Sequence, residues 1–101
     1  MTMGATSIEY KVRNFLDKLC VKYIPQFQME GLFMDVAIPS HKLIIECDGD
    51  YWHNLPNIKK RDGFKNIVVR RNGWDLLRLK ENEINNDFES CKNKIRTIIG
   101  R

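Results

Sequence analysis

The sequence of 101 residues predicts an α/β fold in the order αβββαβα, and three observations carry that expectation. Apolar side chains recur at helical spacing near both ends of the chain. Between them lie three short runs of strand character, separated by Pro and Gly breaks. A further helical stretch then stops at Asn72-Gly73, just before a last apolar strand.

The first helix is expected from Thr6 or Ser7 to Lys22, with Ile8, Val12, Phe15, Leu16 and Leu19 on one side and Thr6 or Ser7 capping the first amides. Glu9 lies in its first turn, where the helix dipole favours a negative charge. Pro25 ends the helical potential. Ile24–Met29 reads as a strand, Glu30-Gly31 as a turn and Leu32–Ile38 as a second strand stopped by Pro39. Ser40-His41 suits a tight antiparallel connection into a third strand, Lys42–Asp48. Strand alternation puts Ile44, Glu46 and Asp48 on one face and Leu43, Ile45 and Cys47 on the other. A second helix is expected over about Asn57–Arg71, a fourth strand over Trp74–Leu79 and one last helix over Glu81–Ile99, with Ile84, Phe88, Cys91, Ile95 and Ile98/Ile99 along one side.

A chain of this length supports one domain and one core, so residues 1–101 are read as a single domain. The hydrophobic content of 43% with three prolines and six glycines argues against disorder. No apolar run approaches bilayer length, and the first residues lack the pattern of a signal peptide. Cys20, Cys47 and Cys91 are odd in number and far apart, which fits neither a disulfide framework nor a paired zinc pattern. A reducing, cytoplasmic setting is the simplest expectation.

Charge is unevenly spread. Residues 1–50 carry five Lys/Arg against seven Asp/Glu, and residues 51–101 carry twelve against six. The basic half offers phosphate contacts, whereas the acidic half repels a polyanion unless cations bridge the two. The acidic residues concentrate in Phe33–Asp62, at strand ends beside a basic run, a pattern that points to metal-assisted chemistry on a phosphate. Glu46 and Asp48 follow Ile44 on one face of a strand, which is costly unless they are paired or bind cations.

These residues resemble a known family. A helix with an acidic residue, an antiparallel run ending in carboxylates, then a crossover helix and strand is similar to the PD-(D/E)XK, restriction-endonuclease-like core. Phe33-Met34-Asp35-Val36-Ala37 looks like that family's aspartate strand. Ile44-Ile45-Glu46-Cys47-Asp48-Gly49 followed by Tyr51-Trp52-His53 resembles the very-short-patch-repair endonuclease branch, as does Gly73–Ile84. That branch includes homing endonucleases with an EDxHD site, and Glu9, Asp35, His53 and Asp62 fall in the matching order. The strand position that carries a lysine in the wider family holds Asp48 here, which favours the histidine-using branch. The cysteines do not supply the structural zinc of the repair enzymes, which favours the homing type.

The resemblance implies a central mixed sheet flanked by helices and a Mg2+-dependent (or Mn2+-dependent) endonuclease acting on double-stranded DNA, in a phage or bacterial setting. Glu9, Asp35, Glu46, His53 and Asp62 are its candidate catalytic residues. Asp35, Glu46 and the Cys47 carbonyl are candidate metal ligands, since magnesium takes oxygen ligands. Asp35 stands out as a lone carboxylate in an apolar strand, against the alternative of a solvent-facing edge residue. Glu46 adds a ligand or positions water. His53 serves as general base or acid near neutral pH, or is structural. Asp62 orients His53, binds metal, or pairs with a nearby basic side chain on its helix. Glu9 rests on the resemblance more than on its own chemistry.

Lys59, Lys60, Arg61, Arg70 and Arg71 are candidate phosphate contacts, and Arg78 on the closing strand can brace the acidic cluster. Tyr51 and Trp52 stack on or wedge between bases, or anchor a loop to the core. So small a core leaves site recognition to a homodimer or to an appended DNA-recognition domain, in which case the chain is the catalytic piece of something longer. Two other readings stay open: a strand-nicking repair endonuclease, and a DNA-binding module whose nuclease site has decayed.

Overall fold

A four-stranded sheet in the spatial order β1-β2-β3-β4 organises the computed structural model of the chain, which describes residues 6–50 and 55–101. Helix α1 spans Ser7–Lys18, β1 Ile24–Met29, β2 Leu32–Ile38 and β3 Leu43–Asp48. Helix α2 follows over Pro56–Arg71, then β4 over Asp75–Lys80, α3 over Glu81–Asn86 and α4 over Phe88–Ile99. Strands β1–β3 are antiparallel, whereas β4 runs parallel to β3. A parallel neighbour cannot be reached by a tight turn, and α2 is the crossover that the pairing requires. The sheet is therefore mixed, as expected. Among the described residues no helix is long and apolar enough to cross a membrane.

Local chemistry accounts for the boundaries. Thr6 caps α1 through a reciprocal box with Glu9. The helix ends at Lys18 rather than Lys22, because Cys20 turns left-handed (φ 57°) and its N–H and that of Val21 bond back to Asp17 and Leu16. That is the Schellman closure, made here without the usual glycine. Gly73 closes α2 in the same way. Glu30 and Gly31 are both left-handed, as a two-residue hairpin turn demands. The link between β2 and β3 is a 3-10 turn over Pro39–His41 with Lys42 left-handed. His41 bridges Ser40 and the Ile99 carbonyl there.

The expected last helix is two helices. Asp87 breaks the run at φ −149°, ψ 58°, and its carboxylate accepts the Ser90 N–H that opens α4. Asn85-Asn86-Asp87 are all weak helix formers whose side chains compete for backbone bonds, so the break has a local cause.

Two apolar layers sandwich the sheet. One face carries Val36, Ile38, Leu43, Ile45 and Leu79 against α1, α3 and α4, through Val12, Leu16, Ile84, Cys91 and Ile95. The other carries Met34, Ala37 and Ile44 against Val68 and Val69 of α2. The alternation expected for β3 holds, since Leu43, Ile45 and Cys47 share the first face and Ile44 lies on the second. Strand β2 is different: Met34 and Ala37 share one face while Val36 and Ile38 share the other. Its alternation resets at Asp35.

Candidate active site

The paired residues put one row of the sheet in register from edge to edge. Gln26 of β1 stands opposite Asp35, since Pro25 pairs with Val36 and Phe27 with Met34. Asp35 stands opposite Glu46, next to the Val36–Ile45 pair, and Glu46 pairs with Arg78. On one side the row Pro25–Val36–Ile45–Leu77 is apolar, and on the other so are the pairs Phe27–Met34 and Cys47–Leu79. A polar row through an apolar sheet is expensive unless its members satisfy one another.

They do so by exchanging bonds across a broken ladder. Strands β2 and β3 stop pairing after Val36–Ile45. Beyond that point the Asp35 N–H donates to Glu46 Oε2 at 2.7 Å, and the Cys47 N–H donates to Asp35 Oδ2 at 2.8 Å. Each carboxylate thus replaces a backbone carbonyl that the diverging strand has taken away. Glu46 Oε1 accepts from Lys65 Nζ of α2 at 2.8 Å, and both side chains are nearly buried. Asp35 Oδ1 accepts no hydrogen bond among the described residues. Burial, followed by the Glu46 charge, pushes the Asp35 carboxyl up to about 8 despite the Cys47 N–H; Glu9 adds to the rise and Lys65 opposes it.

A second cluster lies on the same side. Arg78 Nη1 lies 3.2 Å from Asp48 Oδ1 and 3.6 Å from Asp62 Oδ1, while Nη2 donates to the Asp62 carbonyl and to Asn66 Oδ1, each at 3.0 Å. Burial raises the Asp48 pKa, with Arg78 opposing it. Arg78 therefore braces two acids and the α2 backbone at once. Among the described residues the basic partner of Asp62 is thus on the closing strand, not on its own helix. Burial and the surrounding carboxylates raise the Cys47 pKa, which keeps that thiol protonated and unsuited to nucleophilic work.

Glu9 is buried and faces the sheet from α1. Its Oε1 completes the cap with Thr6, and its Oε2 accepts from Gln26 Nε2 at 3.1 Å. The structure thus brings together Asp35, Glu46 and Lys65, with Glu9 close enough to act on Asp35 electrostatically. Asp62 is held beside Asp48 by Arg78. His53, with Tyr51 and Trp52, lies outside the described residues. Cys47 meets Asp35 through its N–H.

The basic side chains separate into two groups. Lys59, Lys60 and Arg61 are exposed one turn before Asp62. Arg70 and Arg71 lie at the far end of α2, about 14 Å along the axis from Arg61. Arg71 is tied to Glu30 of the β1–β2 turn, which holds the Glu30 carboxyl at about 2.

Sequence reasoning missed Lys65 and Gln26. Neither carries a signal in the sequence, since each meets its partner only through the packing of the sheet against a helix.

The donor chemistry suits a hard divalent cation. Asp35 offers an uncommitted carboxylate oxygen, and a nearby positive charge would relieve the crowding that keeps it protonated. Among the described residues no group of three His, Cys, Asp or Glu forms a ready cage. Magnesium does not need one, since it retains several waters and uses one or two carboxylates.

Fold and site define a restriction-endonuclease-like nuclease domain. The profile of the family REase_MTES_1575 matches residues 8–99, and the chain belongs to that family. Among solved structures the catalytic domain of the homing endonuclease I-Bth0305I is similar over 93% of this chain and 94% of its own, with 26% identity and a TM-score of 0.78. No curated protein matches.

Proposed function

We propose that this chain is a divalent-metal-dependent endodeoxyribonuclease, the catalytic domain of a homing-type endonuclease, cutting phosphodiester bonds in double-stranded DNA. The observation that carries this reading is the Asp35–Glu46 pair, bonded crosswise where β2 and β3 part and charge-balanced by Lys65. The likeness to a homing endonuclease catalytic domain over nearly the whole of both chains supports the same reading.

Asp35 and Glu46 would hold Mg2+ or Mn2+. When bound, the ion supplies Lewis acidity and neutralises charge on the phosphoryl oxygens. Lysine 65 holds the Glu46 carboxylate in one orientation and keeps its charge from expelling a phosphate. Arg78 plays the same part for Asp48 and Asp62. Lys59, Lys60, Arg61 and Arg70 present cations to the DNA backbone, whereas Arg71 must first release Glu30. In the reaction a water oxygen forms a new bond to phosphorus and one P–O ester bond breaks. Water gives up a proton, and the departing oxygen takes one. His53 is assigned to one of those two transfers, with Glu9 contributing negative charge beside Asp35. A homodimer or an appended recognition domain would supply the site specificity that so small a domain lacks.

Supercoiled plasmid with Mg2+ tests the reading. Cleavage by the wild type, abolished by EDTA and reduced about 10³-fold or more by Asp35→Ala, is the expected result. Linear product indicates paired cuts by a dimer, and nicked circles indicate the strand-nicking alternative. DNA binding without cleavage at any divalent ion overturns the proposal in favour of a binding module.

A further inference from the structure

Four residues outside glycine adopt left-handed backbone among the described residues: Cys20, Gln26, Glu30 and Lys42. Three of them close a helix or build a turn, where that conformation does necessary work. Gln26 does neither. It lies inside β1, at φ 49°, where an L side chain is disfavoured. No residue is inserted there, because the β1–β2 register is the same before and after it, so a β-bulge is not the cause. The kink lies opposite Asp35, where β2 also breaks its alternation, so both strands leave the regular pleat at one level.

The side chain that this kink directs reaches Glu9. The Gln26 amide donates to Glu9 Oε2 at 3.1 Å, closer than either Thr6 bond to Oε1 at 3.4 Å. Arg13 is a looser partner, with Nη2 at 3.6 Å from Oε2 and its buried Nε lacking an acceptor among the described residues. Gln26 also stands opposite Asp35 in the polar row, so among the described residues it links the α1 carboxylate to the level of the Asp35–Glu46 pair.

We infer that Gln26 is a positioning residue of this active site, its strained backbone aiming a side-chain amide that holds Glu9 in place beside Asp35. The inference rests on the nuclease reading and adds β1 to a site otherwise built from α1, β2, β3, α2 and β4. Substituting Gln26 separates the backbone from the amide. Gln26→Gly accepts positive φ without strain and removes the amide, and Gln26→Asn tolerates the same backbone while keeping a shorter amide.

The test measures melting temperature and steady-state plasmid cleavage for the wild type, Gln26→Gly, Gln26→Asn, Glu9→Gln and the Glu9→Gln/Gln26→Gly double variant. Gln26→Gly is expected to melt within a few degrees of wild type, keep its KM for DNA and lose about tenfold in kcat, as outer partners of a site commonly do. Gln26→Asn should recover part of that loss. On the Glu9→Gln background, Gln26→Gly should cost nothing more, since its effect runs through Glu9. A Gln26→Gly enzyme cutting at the wild-type rate overturns the inference, and so does a loss that adds in full on Glu9→Gln. A wild type that cuts no DNA removes the nuclease reading and this inference with it.

Discussion

The two faces of the sheet do different jobs. On the α1/α4 face, side chains from Ile8 to Ile99 close into one apolar layer, with Val12, Leu16, Ile38, Leu43 and Ile45 wholly shielded from water. On the α2 face the apolar layer is small, made of Met29, Met34, Ala37, Ile44, Val68 and Val69. Beyond it the sheet carries Glu46, Asp48 and Arg78, and α2 answers with Lys65, Asn66 and Asp62. Helix α2 even turns Phe64 and Ile67 to solvent, at 48% and 58% exposure. One face supplies stability by burial, whereas the other gives up burial for charges that must be balanced pairwise. Burial thus dominates one side of the sheet and paired charge the other, with Glu9 of α1 reaching the Asp35 level from the apolar side through Gln26.

The largest effects test that division directly. Leu16→Ala should cost about 3 kcal/mol, roughly 15 °C in melting temperature, by leaving a cavity in the first layer. Lys65→Met should cost about as much by a different route, because it leaves Glu46 buried without its cation. A second change tells the two routes apart. Adding Glu46→Gln to Lys65→Met removes the stranded charge and should restore most of the lost stability, while cleavage stays at the low level of the single variant. The same addition to Leu16→Ala should restore nothing. Thermal unfolding of the four proteins decides the matter, and equal rescue on both backgrounds would mean that the faces are not distinct in kind.

Much of the first face was legible in the sequence. Ile8, Val12, Phe15 and Leu16 repeat at helical spacing, and the β2 and β3 runs are apolar and bounded by Pro39 and Gly49. The second face was legible only in its acids. Asp35 stood out because charge inside an apolar strand needs a cause, and Glu46 and Asp48 because they share a face. Lys65 did not stand out. Its meeting with Glu46 depends on how the crossover helix lies over the sheet, and from the sequence alone it looks like any helix-surface lysine. Gln26 had no signal at all, since nothing in Ile24–Met29 announces a left-handed residue. The end of α1 was misjudged for a related reason, as Cys20 takes a position where the sequence offers no glycine. The break at Asp87 did have a signal in Asn85-Asn86-Asp87, which the strong apolar repeat on either side outweighed.

A smaller effect sharpens the contrast through pH. The Asp35 carboxyl is raised from 3.8 to about 8, mainly by burial and then by Glu46. The folded protein therefore holds a proton that the unfolded chain releases near pH 4. The stabilisation is complete below that pH and is lost as pH rises to about 8. Asp35→Asn keeps an acceptor for the Cys47 N–H without a charge. Its melting temperature should match the wild type near pH 4 and exceed it increasingly toward pH 8, by several degrees. Mg2+ should narrow the gap by stabilising the wild type alone. A difference that stays constant across this range would mean that Asp35 is not the strained member of the pair.

The smallest effect concerns the helix that connects the two jobs. Gly63 sits inside α2, next to Asp62, with nothing within 4 Å of where a Cβ would lie. Its φ is not left-handed, so no turn or close approach requires a glycine there. Alanine should raise stability by about 0.5–1 kcal/mol, chiefly by restricting the unfolded chain. If α2 acts only as a rigid carrier of Lys65 and Asp62, Gly63→Ala should cut plasmid at the wild-type rate and melt a few degrees higher. If it melts higher but cuts more slowly, α2 must bend during turnover. The polar face would then differ from the apolar one in mobility as well as in charge.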